Sequence, residues 1–428
     1  MKKKEYQNNV KENYISNFPI GIAQGLFFYA GMGFYNYASI FASFIFDLSK
    51  SELIVGLMGT VMSLGYTIAQ IYGPAALEHL VIKRKRMLTF GFLYRVPWLL
   101  MGVFLLAFPA GTPLVLVIVL LYAVLHFFNG LYISSFFDFM SKIVPIEKRG
   151  TYFGLRNSIS IAFQAGAGYL AGVLVGRFSY LDGAEYVIPH GYAYCFFLAF
   201  LVHMIDLFAL SRLKEEPAVV AGKKTTVLRT LKKFPAILQA DKNFAVYCVL
   251  RSLISLGFYT ASFIIVFAKI RIPVTGEILG IFTAVNLVSL SVGTFAAGQI
   301  ANKVGFKKLV EGAAILIACV YFTSPLLNSF EAFFVFFLGV GFLTGGIFLS
   351  FDNLIMEFGR SDNRPSYIAI SSIISGITGI VGPLAAGLIA NQISFIALFY
   401  GIGMVILAAG ILMISKVTDP REIKEYWL

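Results

Sequence analysis

The stretch Gly298–Leu309, "GQIANKVGFKKL", gathers three lysines and two glycines into a short loop between two long apolar runs. The surroundings of that loop are typical of the whole chain. Of its 428 residues 58% are apolar and only 13% charged, with 43 Phe and 40 Gly, and the mean hydropathy is +0.81. A soluble domain carries roughly 25% charged residues, so the solvent for this much apolar surface is lipid. Runs of about 20 apolar residues recur, the length of helix that crosses a bilayer. Hydrocarbon leaves no water for backbone N–H and C=O groups, which restricts spanning structures to helices and closed barrels. The runs lack the period-two alternation of barrel strands, and the sequence therefore predicts a helical integral membrane protein.

Twelve spans are expected, over about 17–46, 52–78, 87–108, 113–140, 152–176, 191–212, 244–268, 276–301, 309–327, 332–358, 366–391 and 394–415. "FPAGTP" (Phe108–Pro113) and "LLNSFEA" (Leu326–Ala332) supply turn chemistry between them, and the one long polar stretch is 213–243. The polar N-terminus leads into the first span with no small-residue cleavage site, so that span is expected to stay. Cys195, Cys248 and Cys319 lie in apolar runs without a C-x-x-C spacing and read as small packing residues. Basic residues test the count. Of the 34, Lys50, Arg177, Lys269 and Arg271 fall in one set of loops, and Arg95, Arg156 and Arg251 fall within spans. All the others lie in the tails and the alternate loops, which makes both termini cytoplasmic. The net charge of +12 is mostly this topology signal and calls for no nucleic acid.

The polar stretch divides the spans six and six, and the two halves repeat. "GFYNYASIFASF" from Gly33 answers "GFYTASFIIVFA" from Gly257; "GPAALEHLVIKRKRML" from Gly73 answers "GQIANKVGFKKLV" from Gly298. "FFNGLYISSF" from Phe127 answers "FLTGGIFLSF" from Phe342, and "EKRGTYFGLRNSIS" from Glu147 answers "DNRPSYIAISSIIS" from Asp362. The matches keep one order, at offsets between 215 and 225 residues, as a duplicated six-helix unit requires.

Twelve spans in two parallel repeats, a basic central linker and a basic loop after the second span of each repeat resemble the major facilitator superfamily. Its loop signature runs roughly Gly-x-x-x-Asp-Arg-x-Gly-Arg-Arg/Lys. Gly298, Lys303, Gly305, Lys307 and Lys308 match it, with Asn302 where the acid is expected; Gly73 and Lys83–Arg86 match in the first half, with Glu78 displaced by one and the second glycine missing. Arg149-Gly150 after the fourth span is also familiar from the family. The resemblance implies an all-α membrane fold of two pseudo-symmetric six-helix bundles, 17–212 and 244–415. These are joined by a cytoplasmic linker, 213–243, and flanked by cytoplasmic tails, 1–16 and 416–428. It implies alternating access to a central site at mid-membrane. It also implies a cytoplasmic clasp, built here from Gly73, Glu78, Lys83, Arg84, Asp138, Arg149, Gly298, Asn302, Lys303, Gly305, Lys307, Asp352 and Arg364.

Charges inside spans each require an explanation, at about 2.5–3.5 kcal/mol apiece on insertion scales. His203 and Asp206, at i and i+3 on the sixth span, face one side and can pair with each other. These two and Arg95 lie on helices that are peripheral in such a fold, which favours a stabilising pairing or snorkelling over substrate contact. Arg156 at the start of the fifth span reads as structural. Arg251, on the cavity-lining seventh span, meets either an anionic group of the substrate or a carboxylate such as Asp352. Around the shared "GFY", Tyr35 and Asn36 on one span and Tyr259 and Thr260 on the other bring aromatic and hydrogen-bonding groups to mid-depth. His126, Asn129, Gln164 and Asn286 add neutral polar groups, and this set is the candidate substrate site. Helix–helix packing by the same glycines and tyrosines is the competing reading.

The expectation is a transporter of a small organic solute in the plasma membrane, monomeric and without cofactor. It leans to efflux of an amphipathic or neutral compound, with uptake of a sugar-like metabolite as the alternative. No acid lies at mid-depth in the first, fourth, seventh or tenth span; His126 is the titratable group there, and a proton or sodium ion as coupling partner is left open. No phosphate-binding loop is present. The rivals from other classes are a transport-inactive sensor and a membrane-embedded enzyme; no H-e-x-x-h-type spacing or nucleophile–base set supports the latter.

Overall fold

The computed structural model describes residues 2–77, 82–145, 148–182, 186–188, 190–217, 234–358 and 364–423. Eleven helical segments among them are long and apolar enough to cross a membrane. They include α3 (Glu52–Leu77), α4 (Arg84–Ala107), α5 (Thr112–Ile143), α6 (Arg149–Phe178) and α7 (His190–Arg212). After a short α8 (Phe234–Ala240), one span is split into α9 (Lys242–Ile254), α10 (Leu256–Tyr259) and α11 (Ser262–Arg271). The rest are α12 (Gly276–Val304), α13 (Phe306–Thr323), α14 (Phe330–Glu357), α15 (Arg364–Gln392) and α16 (Phe395–Lys416). Before them come α1 (Lys2–Phe34) and α2 (Ala42–Ser49), separated by a π-helical turn at Tyr37–Phe41. The helix limits agree with the expected spans to within about a turn, with three differences: α1 begins at Lys2, well before the expected start at 17, and the first and seventh spans are broken, not continuous. The 177–190 loop also carries a β-hairpin, β1 (Tyr180–Asp182) against β2 (Tyr186–Ile188), which the all-α expectation lacked.

Helix starts follow local chemistry. Asp241, Thr275, Ser329 and Ser394 each accept a hydrogen bond from the backbone N–H three residues on, opening α9, α12, α14 and α16. Gly305, with φ +89°, makes the turn from α12 into α13, a backbone geometry that favours glycine. On α5, Leu116, Leu120, Val124 and Phe127 form an exposed stripe at helical spacing, and Val288, Val292 and Phe295 do so on α12. Such stripes are the lipid-facing sides, where exposure carries no hydrophobic penalty.

In the first half α1 packs on α5, α6 and α7, α3 and α4 on α5, and α4 on α7; in the second, α12 and α13 pack on α14, and α16 on α9 and α13. Two large pairings join the halves, α3 with α15 and α6 with α12.

The centre of the first half is polar. The Arg95 guanidinium donates to both oxygens of Asp206 at 2.6 and 2.7 Å, with neither side chain exposed. Its Nε reaches the His203 carbonyl at 2.8 Å, and its plane lies beside Tyr94 and Tyr132. His203 Nδ1 lies 2.9 Å from Asp206, and Nε2 lies 3.2 Å from the Tyr35 hydroxyl. A carboxylate only accepts, so Nδ1 carries the proton and Nε2 accepts from Tyr35. The expected His203–Asp206 pair is present, and Arg95 completes it, tying α4 to α7 and, through Tyr35 and Gln24, to α1. Arg95→Ala should cost about 3–5 kcal/mol by leaving Asp206 charged and unpaired. Arg95→Met with Asp206→Leu should recover most of that loss in thermal unfolding of detergent-solubilised protein. Equal destabilisation by the single and double variants would contradict the pairing.

Candidate functional site

Both copies of "GFY" mark a helix break. In the first, α1 ends at Phe34 and Asn36 leaves helical geometry (φ −35°, ψ 116°). The Asn36 side-chain carbonyl accepts from Ala38 N–H at 3.2 Å and Ser39 Oγ at 2.9 Å, capping the π-turn. In the second, α10 ends at Tyr259 and the chain restarts as α11 at Ser262. Thr260 Oγ1 bonds back to the Leu256 carbonyl at 2.7 Å. The breaks meet: the Tyr37 hydroxyl donates to the Tyr259 carbonyl at 3.0 Å, satisfying a carbonyl that the broken helix leaves open.

Beyond the breaks, α2 and α11 run side by side to the face opposite the lysine-rich loops. There Lys269 on α11 lies 2.5 Å from Asp47 and 2.8 Å from Ser43, both on α2. Tyr192 on α7 donates to the other Asp47 oxygen at 2.7 Å. Other links between the halves lie on the same side of mid-depth: Thr60 to the Ile380 carbonyl (2.7 Å), Thr283 to Ser39 (2.7 Å) and Asn391 to Glu52 (3.3 Å). Glycines bring the backbones together near this face. Gly172 and Gly176 on α6 meet Gly276 and Gly280 on α12, and Gly56 on α3 meets Gly387 on α15.

On the basic face the recorded hydrogen bonds and ion pairs of the described residues stay within one half. The Glu215 carboxylate accepts from the Lys83 and Arg84 backbone N–H groups and from Lys142 (3.1 Å), while Arg84 donates to the Leu213 carbonyl. Arg149 Nε lies 3.3 Å from the Val144 carbonyl. In the second half Lys307 pairs with Glu311, Arg421 with Glu357 (2.6 Å), and Asn302 and Lys303 are exposed at the end of α12. Gly298 sits within α12 against Leu349 of α14, and Gly305 lies beside Arg421. Gly73 is in α3; Glu78 and the side chains of Asp138 and Arg364 lie outside the described residues.

The nine residues of the expected substrate set do not converge on one point. Tyr35 turns into the first half, stacked on Trp98 at 3.9 Å and bonded to His203. His126 is buried between α3 and α5, edge-on to Tyr122 at 4.3 Å and with Nδ1 unbonded, and Asn129 has an unbonded buried Oδ1 one turn on. Gln164 lends its backbone to the contact with Gly33. Asn286 bonds the Phe337 carbonyl at 3.1 Å, tying α12 to α14. Thr260 is buried near the Tyr321 hydroxyl. Arg251 donates to Ser371 at 2.6 Å and stands 3.7 Å from Asp352, whose side chain is 72% exposed, so the carboxylate contact is loose. The structure adds Tyr37, Asp47, Glu215 and Gln24, which sequence reading passed over, and gives partners to Lys269, read as a loop base, and to Arg156, read as structural. Asp47 had a signal, since it falls fourteen residues after Gly33, as Arg271 does after Gly257, placing opposite charges at the ends of the duplicated helices.

No curated protein sequence matches the chain significantly. Among solved structures it shares the fold of a D-xylose–proton symporter (TM-score 0.71, 14% identity, 95% of this chain and 99% of the other covered). A structure of the nucleoside transporter NupG gives a TM-score of 0.72 at 11% identity, over 94% and 100%. The inward-open xylose transporter XylE from E. coli gives 0.71 at 14%, over 97% and 99%. The Major Facilitator Superfamily family model matches residues 25–272 and 247–425, together nearly the whole chain. The chain belongs to the Major Facilitator Superfamily.

Proposed function

We propose that the protein is a secondary transporter that carries a small organic solute across the plasma membrane by alternating access, and that the structure is its inward-facing state. In this reading the broken α1–α2 rod is the first span and brings the count to twelve, residues 17–212 and 244–415 are pseudo-symmetric bundles, and 213–243 and both tails are cytoplasmic. The basic face is then the cytoplasmic one. A single observation carries the assignment: the hydrogen bonds and the ion pair that link the halves lie toward the opposite face. The two large inter-half pairings support it, because the proposed repeat exchanges them. The second and eleventh spans meet as α3 and α15, the eighth and fifth as α12 and α6.

Alternating access requires that solute change the balance between two packings by binding them unequally. The Lys269–Asp47–Tyr192 cluster and the glycine contacts form the outer gate, and the broken helices beneath it are where each bundle can bend. The basic-face residues Lys83, Arg84, Lys303 and Lys307, with Glu78, Asp138 and Arg364, supply the clasp of the outward-facing state. The candidate substrate residues belong to the walls of the first and seventh spans and their neighbours; Tyr35 and Thr260 act there by holding the breaks.

Two outcomes test this reading. Asp47→Asn removes a hydrogen bond to a charged group worth about 1.5–3 kcal/mol. It should enlarge the outward-facing population about tenfold to a hundredfold. Spin labels at Ser51 and Ile393 should move apart while labels at Lys85 and Lys303 draw together; a change at one face without the reciprocal change excludes alternating access. Gly276→Val drives a side chain into the α6 backbone at Gly172 and Gly176. It should prevent outer closure, so that a cysteine at Ser43 becomes reactive to impermeant maleimide from outside and solute flux in proteoliposomes falls at least about tenfold. Unaltered Ser43 reactivity would remove the outer gate from this place.

A further inference from the structure

Arg156 lies on α6, seven residues and so about 10 Å of rise in from Arg149. It is 4% exposed. Its Nη2 donates to the Gln24 side-chain carbonyl at 2.9 Å and its Nη1 lies 3.3 Å from the Asn157 carbonyl oxygen. Its Nε is buried without an acceptor. The guanidinium faces the rings of Tyr29 and Phe136 at 5.8 and 5.2 Å. No carboxylate among the described residues pairs with it; the paired acids of the first half take Arg95, Lys142 and His203 from their own half and Lys269 from the other.

The nearest acid in the network is already committed. Gln24 donates to Asp206 at 3.2 Å on one side and accepts from Arg156 on the other, and Asp206 takes both its strong bonds from Arg95. Arg95 and Asp206 cancel, so the connected cluster of α1, α4, α6 and α7 keeps one net positive charge, located on Arg156. A charge held in a low-dielectric interior with only neutral partners is costly, and it attracts an anion more strongly than an exposed cation does. Room for the anion is present: Gln24, Tyr29, Tyr132, Phe136, Arg156 and Asn157 border a cavity of about 100 Å³ between α1, α5 and α6. Water occupies about 30 Å³ in the liquid, so this volume, about three waters, admits a carboxylate or phosphate group and not a large body. Gly25 secures the guanidinium's place on the α1 side, since a Cβ there would lie 2.6 Å from Arg156 Cγ and Nε. The free Nε–H together with a neighbouring Nη–H forms the planar fork that recognises an oxyanion with two parallel hydrogen bonds.

We propose that Arg156, in the cavity between α1, α5 and α6, anchors the carboxylate or phosphate group of an organic-anion substrate, an assignment that rests on the transporter reading above. The anion completes a charge balance that the fold leaves open, and the apolar remainder of the solute lies outside the small cavity.

The test uses the purified full chain in neutral detergent, with thermal unfolding read in acetate, gluconate, inorganic phosphate, glucose 6-phosphate, glucose and glycerol. Potassium chloride at matched ionic strength is the reference. A carboxylate or a phosphate should raise Tm by about 2–4 °C while its uncharged counterpart does not, and which series responds names the group. Arg156→Gln should weaken that response at least about tenfold, and Arg156→Lys should restore part of it. The same Arg156→Gln protein should unfold, without ligand, at a Tm equal to or above that of the parent, because it loses an uncompensated buried charge. A merely structural Arg156 would instead lower it. Anion responses retained in Arg156→Gln, the absence of any anion-specific response, or a lowered unliganded Tm would each overturn the assignment. So would a response confined to added phosphatidylglycerol, which would make the occupant a lipid headgroup. Stabilisation and flux of uncharged solutes, unchanged by Arg156→Gln, would overturn the anion anchor and leave the transporter standing. Loss of the reciprocal distance change would sink the transporter reading on its own.

Discussion

A helix broken in hydrocarbon must find partners for the backbone groups it releases, and much of this structure is arranged around meeting that requirement twice. At the first break the Asn36 side chain takes over from the missing helical acceptor. At the second, the Tyr259 carbonyl is satisfied from the other half by Tyr37. That bond makes each break depend on the other, so the duplicated "GFY" segments are stable in this geometry when the halves are closed above them. The close glycine contacts between α6 and α12 and the pairing of Lys269 with Asp47 lie on the same side. Opening that face would expose the Tyr259 carbonyl to whatever replaces Tyr37, which links the state of the outer gate to the polarity of the space beneath it.

Charge is handled differently in the two places where it is buried. At Asp206 the charges balance, with Arg95 and His203 donating to its carboxylate and Tyr35 to His203, and the result joins α4 and α7 to the end of α1. Around Arg156 the donors outnumber the acceptors. The two sites share Gln24, whose amide gives to one and takes from the other. This polarity is fixed, because an ionised Asp206 can only accept and a guanidinium can only donate. An anion arriving at Arg156 would compete with the Gln24 carbonyl for the same donors, and any rotation of that amide would be felt at Asp206. This chain of three side chains connects Arg156 to Asp206 through a single amide.

Fold class was legible because lipid solvent imposes long apolar runs and the distribution of lysine and arginine is a regional property, insensitive to any single contact. The span limits and the His203–Asp206 pair follow from local periodicity in the same way. The breaks were not legible as breaks: "GFYNYA" and "GFYTAS" contain no proline, and the residues that stabilise them, Tyr37 and Tyr259, are 222 positions apart. Arg156 lies near a helix start and so reads from sequence as an edge residue, and the structure buries it under α1 and α5. Its partners Gln24, Tyr29 and Phe136 come from other helices and could be counted only in three dimensions. Arg251 shows the converse: the sequence offers it an anionic substrate group or a carboxylate such as Asp352, and the structure places an exposed Asp352 at a loose 3.7 Å.

On the basic face several acids of the described residues are used within their own halves: Glu215 by Lys83, Arg84 and Lys142, Glu311 by Lys307, and Glu357 by Arg421. Among the described residues Lys85 and Arg86 on one side and Lys303 and Lys308 on the other are exposed, as are the acids Asp352 and Glu422 of the second half. Bringing the two sets of bases together without exchanging partners would set like charges against each other, at a cost that salt screens over about 8–10 Å. Closure on this side therefore requires acids to leave one set of bases for another, or a negative group to enter between them. An anionic solute at Arg156 would supply the charge that the cavity between α1, α5 and α6 lacks, within the first half and apart from the basic face itself.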